Sequence, residues 1–144
     1  MSNKLSGDEA RTILAEAITA AEADNRGEVR VHLEKTSPVD DALERAKQVF
    51  AGLGMHETQE DTGVLLYVAV EDRKVAVYAG KGIHGAAEEG FWKQVAAAVA
   101  EGFRSNDSLA GLCNALDQIG DLLREHAPGK DEAGNELPNK VTTS

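Results

Sequence analysis

The sequence predicts an α/β protein in which helices pack on both faces of a small mixed sheet of three to four strands. Two observations predict this class. Segments in which apolar residues recur at helical spacing alternate along the chain with short apolar runs rich in β-branched residues. The length of 144 residues is the commonest size of one domain. We therefore expect a three-layer α/β/α sandwich with about four helices over residues 1–129, followed by a polar C-terminal tail over 130–144.

The first helix and the first strand follow each other directly. Ser6 to Glu9 matches the capping pattern that opens a helix, and apolar residues recur after it at helical spacing through Ala21. Asp24 to Gly27 ends this segment. Residues 28–34 then alternate between polar and apolar, which is typical of a strand with one buried face.

The second helix is predicted to begin at Ser37, with Pro38 in its first turn, and to end at Gly54. Residues 63–70 follow a polar loop and are apolar on both sides of the chain. Such a run predicts a strand that is buried on both faces and is central in its sheet.

The third strand, residues 75–79, returns antiparallel to the second after a turn. A glycine-rich turn over 80–85 leads to a helix whose apolar face runs from Phe91 to Phe103. Asp107 can cap a last helix, which Pro128 ends. The first strand, second helix and second strand form a right-handed parallel crossover.

Composition excludes several classes of partner. The 25 acidic and 15 basic residues give a formal charge of −10, which opposes binding to nucleic acid and to anionic membranes. The longest apolar run has seven residues, far fewer than the roughly 20 that span a bilayer. Cys113 has no partner for a disulfide, and the N-terminus lacks the apolar core of a signal peptide. We expect a cytoplasmic monomer that does not insert into membranes.

Strand direction predicts which loops meet. Because the third strand runs opposite to the first two, the turn that follows it lies at the edge where they begin. That edge gathers residues 24–28, 60–62 and 81–84. The opposite edge, with residues 34–37 and 71–73, is where open parallel sheets usually bind ligands, but two parallel strands favour it only weakly.

Oxygen-bearing groups at the first edge predict a cation site, because hard cations such as Ca²⁺ and Mg²⁺ take oxygen ligands. The predicted ligands are Glu28, Asp61 and the backbone of Gly80 and Gly82. Further acids at the same edge and in the tail are Glu60, Asp131, Glu132 and Glu136. We expect Thr62, Lys81 and His84 to bind an anion or substrate at this edge.

Other chemistry finds little support in the sequence. The glycine turn matches G-x-G-x-x-G over 80–85, but no βαβ unit follows it, so it does not predict dinucleotide binding. Cys113 and Trp92 lie on apolar helix stripes, where packing is the expected role. No pair of histidines has the spacing of a zinc site, and no nucleophile stands beside a base.

Several segments, taken in order, carry a resemblance to a known family. They are Gly27 to Val31, Phe50 to Thr58, Gly63 to Ala69, Asp72 to Val75, Lys81 to Ile83, Phe91-Trp92, Gly111 to Gly120 and Asn135 to Pro138. Over residues 8–141 the chain resembles the TPM domain family, also called the TPM phosphatase family.

The resemblance implies a three-layer α/β/α domain. It also implies weak acid phosphatase activity, as in plant members that assist photosystem repair, or divalent-cation binding, as in some bacterial members. This chain is similar to the short, unanchored bacterial form. It departs from the family at Gly80, where an Asp is common, and at Asp61-Thr62, where Arg-Asn is common. One carboxylate is thus lost from the candidate site and another is gained.

Three functions remain open from the sequence. The first is a divalent-cation-binding module at the first edge. The second is a metal-assisted phosphomonoesterase of low activity at the same edge, with Lys81 as the nearby cation. The third is a non-catalytic adaptor that binds a protein partner through a helix face or the tail.

Overall fold

The computed structural model describes residues 7–57, 61–88, 90–129 and 141–144. Its helices and strands in chain order are α1 (Asp8–Glu22), β1 (Glu28–Glu34), α2 (Ala42–Gly52), β2 (Gly63–Ala69), β3 (Lys74–Ala79), α3 (Lys81–His84), α4 (Phe91–Arg104), α5 (Ser108–His126) and β4 (Val141–Thr143). A 3₁₀ turn, Met55–Glu57, follows α2. The predicted α/β class is confirmed.

The four strands form one mixed sheet in the order β3-β2-β1-β4. β1 and β2 are parallel, with Glu28 opposite Gly63, and β3 runs antiparallel to β2, with Ala79 opposite Val64. The predicted crossover and hairpin are therefore present. β4 pairs parallel with the outer side of β1. Part of the segment 130–144, which was predicted to be a polar tail, is therefore a strand of the sheet.

Helices cover both faces of the sheet. Residues of α1, α4 and α5 form the larger apolar core with the odd-numbered positions of β1 and the even-numbered positions of β2. α2 covers the other face, where Phe50 and Met55 pack against Leu65 and Tyr67. No described helix combines the length and the apolar character that crossing a membrane requires.

The burial of β1 differs from the prediction. Residues 28–34 were expected to bury one face, but all seven positions are buried. Arg30 stands opposite Leu65 and His32 opposite Tyr67, so these polar side chains share the face that α2 covers. Ion pairs and hydrogen bonds make this burial tolerable. Alternation of polar and apolar residues therefore did not indicate solvent on one side.

The start of α2 also differs. The sequence predicted a cap at Ser37, whereas the helix begins at Ala42 and its cap is Asp41, whose carboxylate accepts a 2.9 Å hydrogen bond from the Leu43 N–H. The Ser37 hydroxyl instead donates to the Val39 carbonyl, at 2.6 Å, which holds this segment in a local turn. The predicted cap of α5 is confirmed, since the Asp107 carboxylate accepts from the N–H of Ala110. Ser6 lies outside the described residues.

Candidate functional site

The glycine turn lies directly against Asp61, as the strand directions predict. The Gly80 N–H donates to the Gly63 carbonyl at 2.8 Å, which continues the β2–β3 ladder. The Gly82 N–H donates to the Asp61 carbonyl at 2.8 Å, and the Lys81 N–H donates to Asp61 Oδ2 at 3.1 Å. Three hydrogen bonds donated by backbone N–H groups therefore join the first residues of the turn to Asp61 and Gly63; two end on carbonyls and one on the Asp61 carboxylate.

Asp61 has two unusual features. Its backbone is left-handed, with φ of 52°, which is uncommon for a residue other than glycine. Its Oδ1 atom is buried and has no hydrogen-bond partner among the described residues. A Cβ at position 80 would overlap the Asp61 carbonyl and Oδ1, so Gly80 permits this close approach.

Glu28 contacts this edge through its backbone, whereas its carboxylate pairs with Arg30. Its N–H donates to the Thr62 carbonyl at 3.3 Å. Its carboxylate lies 3.3 Å from Arg30 Nη2, and Arg30 also pairs with Glu22 at 3.0 Å. Glu28 and Arg30 are 3% and 1% exposed, so the carboxylate of Glu28 is committed to a buried ion pair.

The backbone and hydroxyl groups predicted at this edge also have partners. The Gly80 carbonyl accepts from the N–H groups of Ile83 and His84, at 3.1 and 2.9 Å, because the glycine turn forms the single helical turn α3. The Thr62 hydroxyl donates to the Arg26 carbonyl at 3.1 Å. Within the described ranges, no group of three or more His, Cys, Asp or Glu side chains could hold a metal ion. Glu60, Asp131, Glu132 and Glu136 fall outside those ranges.

A shallow depression of about 340 Å³ opens beside α3. It is lined by Tyr78, Ala79, Lys81, His84 and Gly85. The His84 ring stacks on Trp92 with 6.3 Å between ring centroids, and Trp92 packs on the main core. Two of the three residues predicted to bind an anion, Lys81 and His84, therefore share one concave surface.

A polar cluster that was not predicted from the sequence lies at the opposite edge. We call it the Glu34 cluster and define it as His32, Glu34, Arg45, Tyr67 and Ser144. Glu34 accepts two hydrogen bonds from Arg45, at 2.9 and 2.5 Å, and one from the Tyr67 hydroxyl at 2.6 Å. The Arg45 guanidinium is the main reason that the pKa of Glu34 is lowered to about 2. The residues that bond to Glu34 come from α2, from β2 and from the C-terminal segment, so no local pattern in the sequence indicated the cluster.

A larger groove of about 590 Å³ lies between α4 and α5, and its described lining contains none of the predicted site residues. α4 and α5 touch at Gly102 and Gly111, where a Cβ on either glycine would overlap the other helix. The groove lies toward the other end of the pair, with Phe91 and Leu122 among its apolar lining residues. Its polar lining residues are Glu88, Gln94, Gln118, Asp121, Glu125 and His126.

Residues 2–122 match the family model described as the TPM domain. Among curated proteins, none matches the sequence.

Solved structures with the same fold come from several bacteria. The NMR structure of the BA42 protein from the psychrophilic bacterium Bizionia argentinensis is 36% identical, with a TM-score of 0.84, and the match covers 96% of this chain and 94% of that one. The N-terminal domain of a P. gingivalis protein is 17% identical, with a TM-score of 0.71, over 85% and 81% of the two chains. The N-terminal domain of the cg2496 protein from Corynebacterium glutamicum is 11% identical, with a TM-score of 0.64, over 94% and 78%. The last two similarities concern the fold alone.

Proposed function

The chain belongs to the TPM domain family, and from this premise we propose that it is a divalent-cation-binding module whose anchoring ligand is Asp61. The observation that carries the proposal is Asp61 Oδ1, a buried carboxylate oxygen without a hydrogen-bond partner among the described residues. An unsatisfied carboxylate oxygen is costly to bury, and a cation would satisfy it.

The donor set favours a weakly held, hydrated ion. Glu28 could bind a cation only by leaving Arg30, and the Gly80 carbonyl already accepts two N–H groups. Mg²⁺ usually keeps several waters and is held by one or two carboxylates, whereas Ca²⁺ takes about six to eight oxygen ligands. A site with one free carboxylate oxygen therefore suits Mg²⁺ better than Ca²⁺. The charge of −10 adds a general attraction for cations.

A titration with MgCl₂ and CaCl₂, followed by amide NMR shifts, tests this function. We expect shifts at residues 61–63 and 80–84 in the unaltered protein, and their loss in Asp61→Asn. Asp40→Asn is the matched control, because Asp40 is exposed and remote from the turn. Absence of shifts at residues 24–28, 61–63 and 79–85 with millimolar ion would exclude the proposal, as would equal shifts in both variants.

A metal-assisted phosphomonoesterase is the alternative, because Lys81 and His84 line the depression beside α3, adjacent to Asp61. Lys81 would attract the phosphate, and the metal would polarise the phosphoryl group. Hydrolysis of an aryl phosphate that requires Mg²⁺ and disappears in both Asp61→Asn and Lys81→Ala would favour this reading. Activity that survives Asp61→Asn would indicate a contaminating phosphatase.

A further inference from the structure

Strand β4, which pairs with β1 through its backbone, is also joined to the sheet by side-chain contacts of His32, a residue that neither proposed activity uses. His32 Nδ1 lies 2.6 Å from the Thr142 hydroxyl, and Nε2 lies 2.5 Å from the Ser144 hydroxyl. His32 is only 5% exposed. Both ring nitrogens of a buried histidine are thus bonded to side chains of the C-terminal segment, Thr142 within β4 and Ser144 directly after it.

The hydrogen bonds around Ser144 assign the proton on His32. The Ser144 hydroxyl lies 2.7 Å from Glu34 Oε2, and the ionised Glu34 can only accept. Ser144 therefore donates its one proton to Glu34 and must accept from His32 Nε2–H. The neutral ring then accepts at Nδ1 from the Thr142 hydroxyl. Docked β4 thus corresponds to one neutral tautomer of His32.

A second proton on His32 would disturb this arrangement. With Nδ1 protonated, the Thr142 hydroxyl must accept instead of donating, and a positive charge is buried. The charged groups facing the ring are Glu34, at 4.0 Å, which favours the charge, and Arg45 from α2, which opposes it. From β2, only the uncharged ring of Tyr67 faces it, stacked with 6.2 Å between centroids. Burial outweighs Glu34, so the pKa of His32 lies below its ordinary value.

The other described contacts of β4 are its backbone pairing with residues 31–33 of β1, the packing of Val141 on the larger core and a few hydrogen bonds. The strand has three residues at the edge of the sheet, and Thr143 is exposed. The Ser144 N–H donates to the Leu33 carbonyl at 3.1 Å, and Arg11 reaches the Thr143 hydroxyl at 3.4 Å. Short edge segments with few buried contacts open at low free-energy cost.

We propose that β4 is a releasable strand and that protonation of His32 switches it from docked to released. The reason is linkage: a proton that binds more tightly to the released form shifts the equilibrium toward that form. The released fraction is expected to rise as pH falls below 6.5, by about tenfold in equilibrium constant for each unit by which docking lowers the His32 pKa. Release would leave the outer side of β1 unpaired at residues 31–33.

NMR of the full chain between pH 7.5 and 5 tests whether protonation of His32 releases β4. We expect the Val141–Ser144 amides to move toward random-coil shifts with the same midpoint as the His32 ring, while Leu66 in β2 keeps its shift. Imidazole ¹⁵N shifts should show the Nε2–H tautomer at pH 7.5. Unchanged amides through the His32 titration, or the Nδ1–H tautomer, would overturn the proposal.

Substitutions provide a second test, because they should release β4 at a fixed pH of 7.5 without protonation of His32. Thr142→Val and Ser144→Ala should release β4 at pH 7.5, and each should raise the His32 pKa toward its ordinary value. Thr143→Val is the matched control, because its side chain does not reach His32, and it should leave the His32 pKa unchanged. If all three substitutions released β4 to the same extent, backbone pairing would be what docks the strand, and control by His32 would be contradicted.

Discussion

At the level of single residues, the proposed cation site depends on the close approach of Asp61 to the backbone of Gly80. Strand directions predicted that the two would meet, because the third strand had to carry the turn back to the start of the second. They could not predict the unpaired Oδ1, which depends on side-chain torsions. The pairing of Glu28 with Arg30 had a signal in the sequence, since opposite charges two apart in a strand share one face.

Replacing Gly80 with Ala should destabilise the fold by about 1–3 kcal/mol, because the added Cβ would overlap Asp61. The measurement is the free energy of unfolding in urea. Gly85→Ala is the control: a Cβ there meets nothing within 4 Å and φ is −77°, so stability should stay equal or rise slightly. Equal losses in the two variants would contradict the close packing of the turn on Asp61.

At the scale of elements, the Glu34 cluster joins β1 to α2 and β2. The Glu34 pKa of about 2 lies below the value of 4.5 for the unfolded chain. The stabilisation is therefore present above pH 4.5 and is lost as pH falls from 4.5 toward 2. It amounts to about 3.5 kcal/mol at most, since each pKa unit corresponds to about 1.4 kcal/mol.

Glu34→Gln should remove most of this pH dependence and lower the free energy of unfolding at pH 7 by about 2–3 kcal/mol. Thermal unfolding between pH 7 and 3 measures both effects. Glu101→Gln is the control, because its pair with Arg104 at 2.7 Å is exposed and should matter little. A Glu34→Gln protein with wild-type acid sensitivity would show that other groups control the transition.

The start of α2 offers a second test at this scale. Asp41→Ala should cost about 1 kcal/mol, because the first turn would lose its side-chain acceptor. Ser37→Ala should cost less, since among the described contacts the Ser37 hydroxyl accepts from no N–H of α2 and bonds instead to Val39. Chemical denaturation of the two variants decides between the capping residues, and the reverse order would support the start predicted from the sequence.

Two possible capping residues, Ser37 and Asp41, lie within a few positions of each other, which is why the predicted start of α2 was wrong. Ser37 and Pro38 form a good helix-start pattern, but Asp41 forms another one next to the apolar stripe. By contrast, β2 has a continuous apolar run with no competing pattern, and its burial on both faces is confirmed.

At the scale of the whole molecule, layer order follows from the sequence because each helix has one apolar stripe and the sheet has two faces to cover. Strand β4 did not follow, since Val-Thr-Thr is too short to show a period. Its pairing partner, β1, and the side chains that bond to Ser144, His32 and Glu34, lie more than a hundred residues earlier.

The two edges of the sheet therefore carry different chemistry. The edge at Asp61 has, among the described residues, a carboxylate oxygen without a hydrogen-bond partner beside a glycine turn, and the edge at Glu34 has a hydrogen-bonded network that reaches Ser144. Cation binding at the first and strand release at the second involve no shared side chain. Failure of either proposal leaves the other standing.

Broadening of amide NMR signals by Mn²⁺, an oxygen-preferring ion that relaxes nearby nuclei, is the sharpest test of cation binding at Asp61. With substoichiometric Mn²⁺, we predict that signals of residues 61–63 and 80–84 broaden first and that excess Mg²⁺ restores them. Broadening that begins instead at Glu88, Asp121 and Glu125, the carboxylates of the groove between α4 and α5, would contradict a cation site at Asp61.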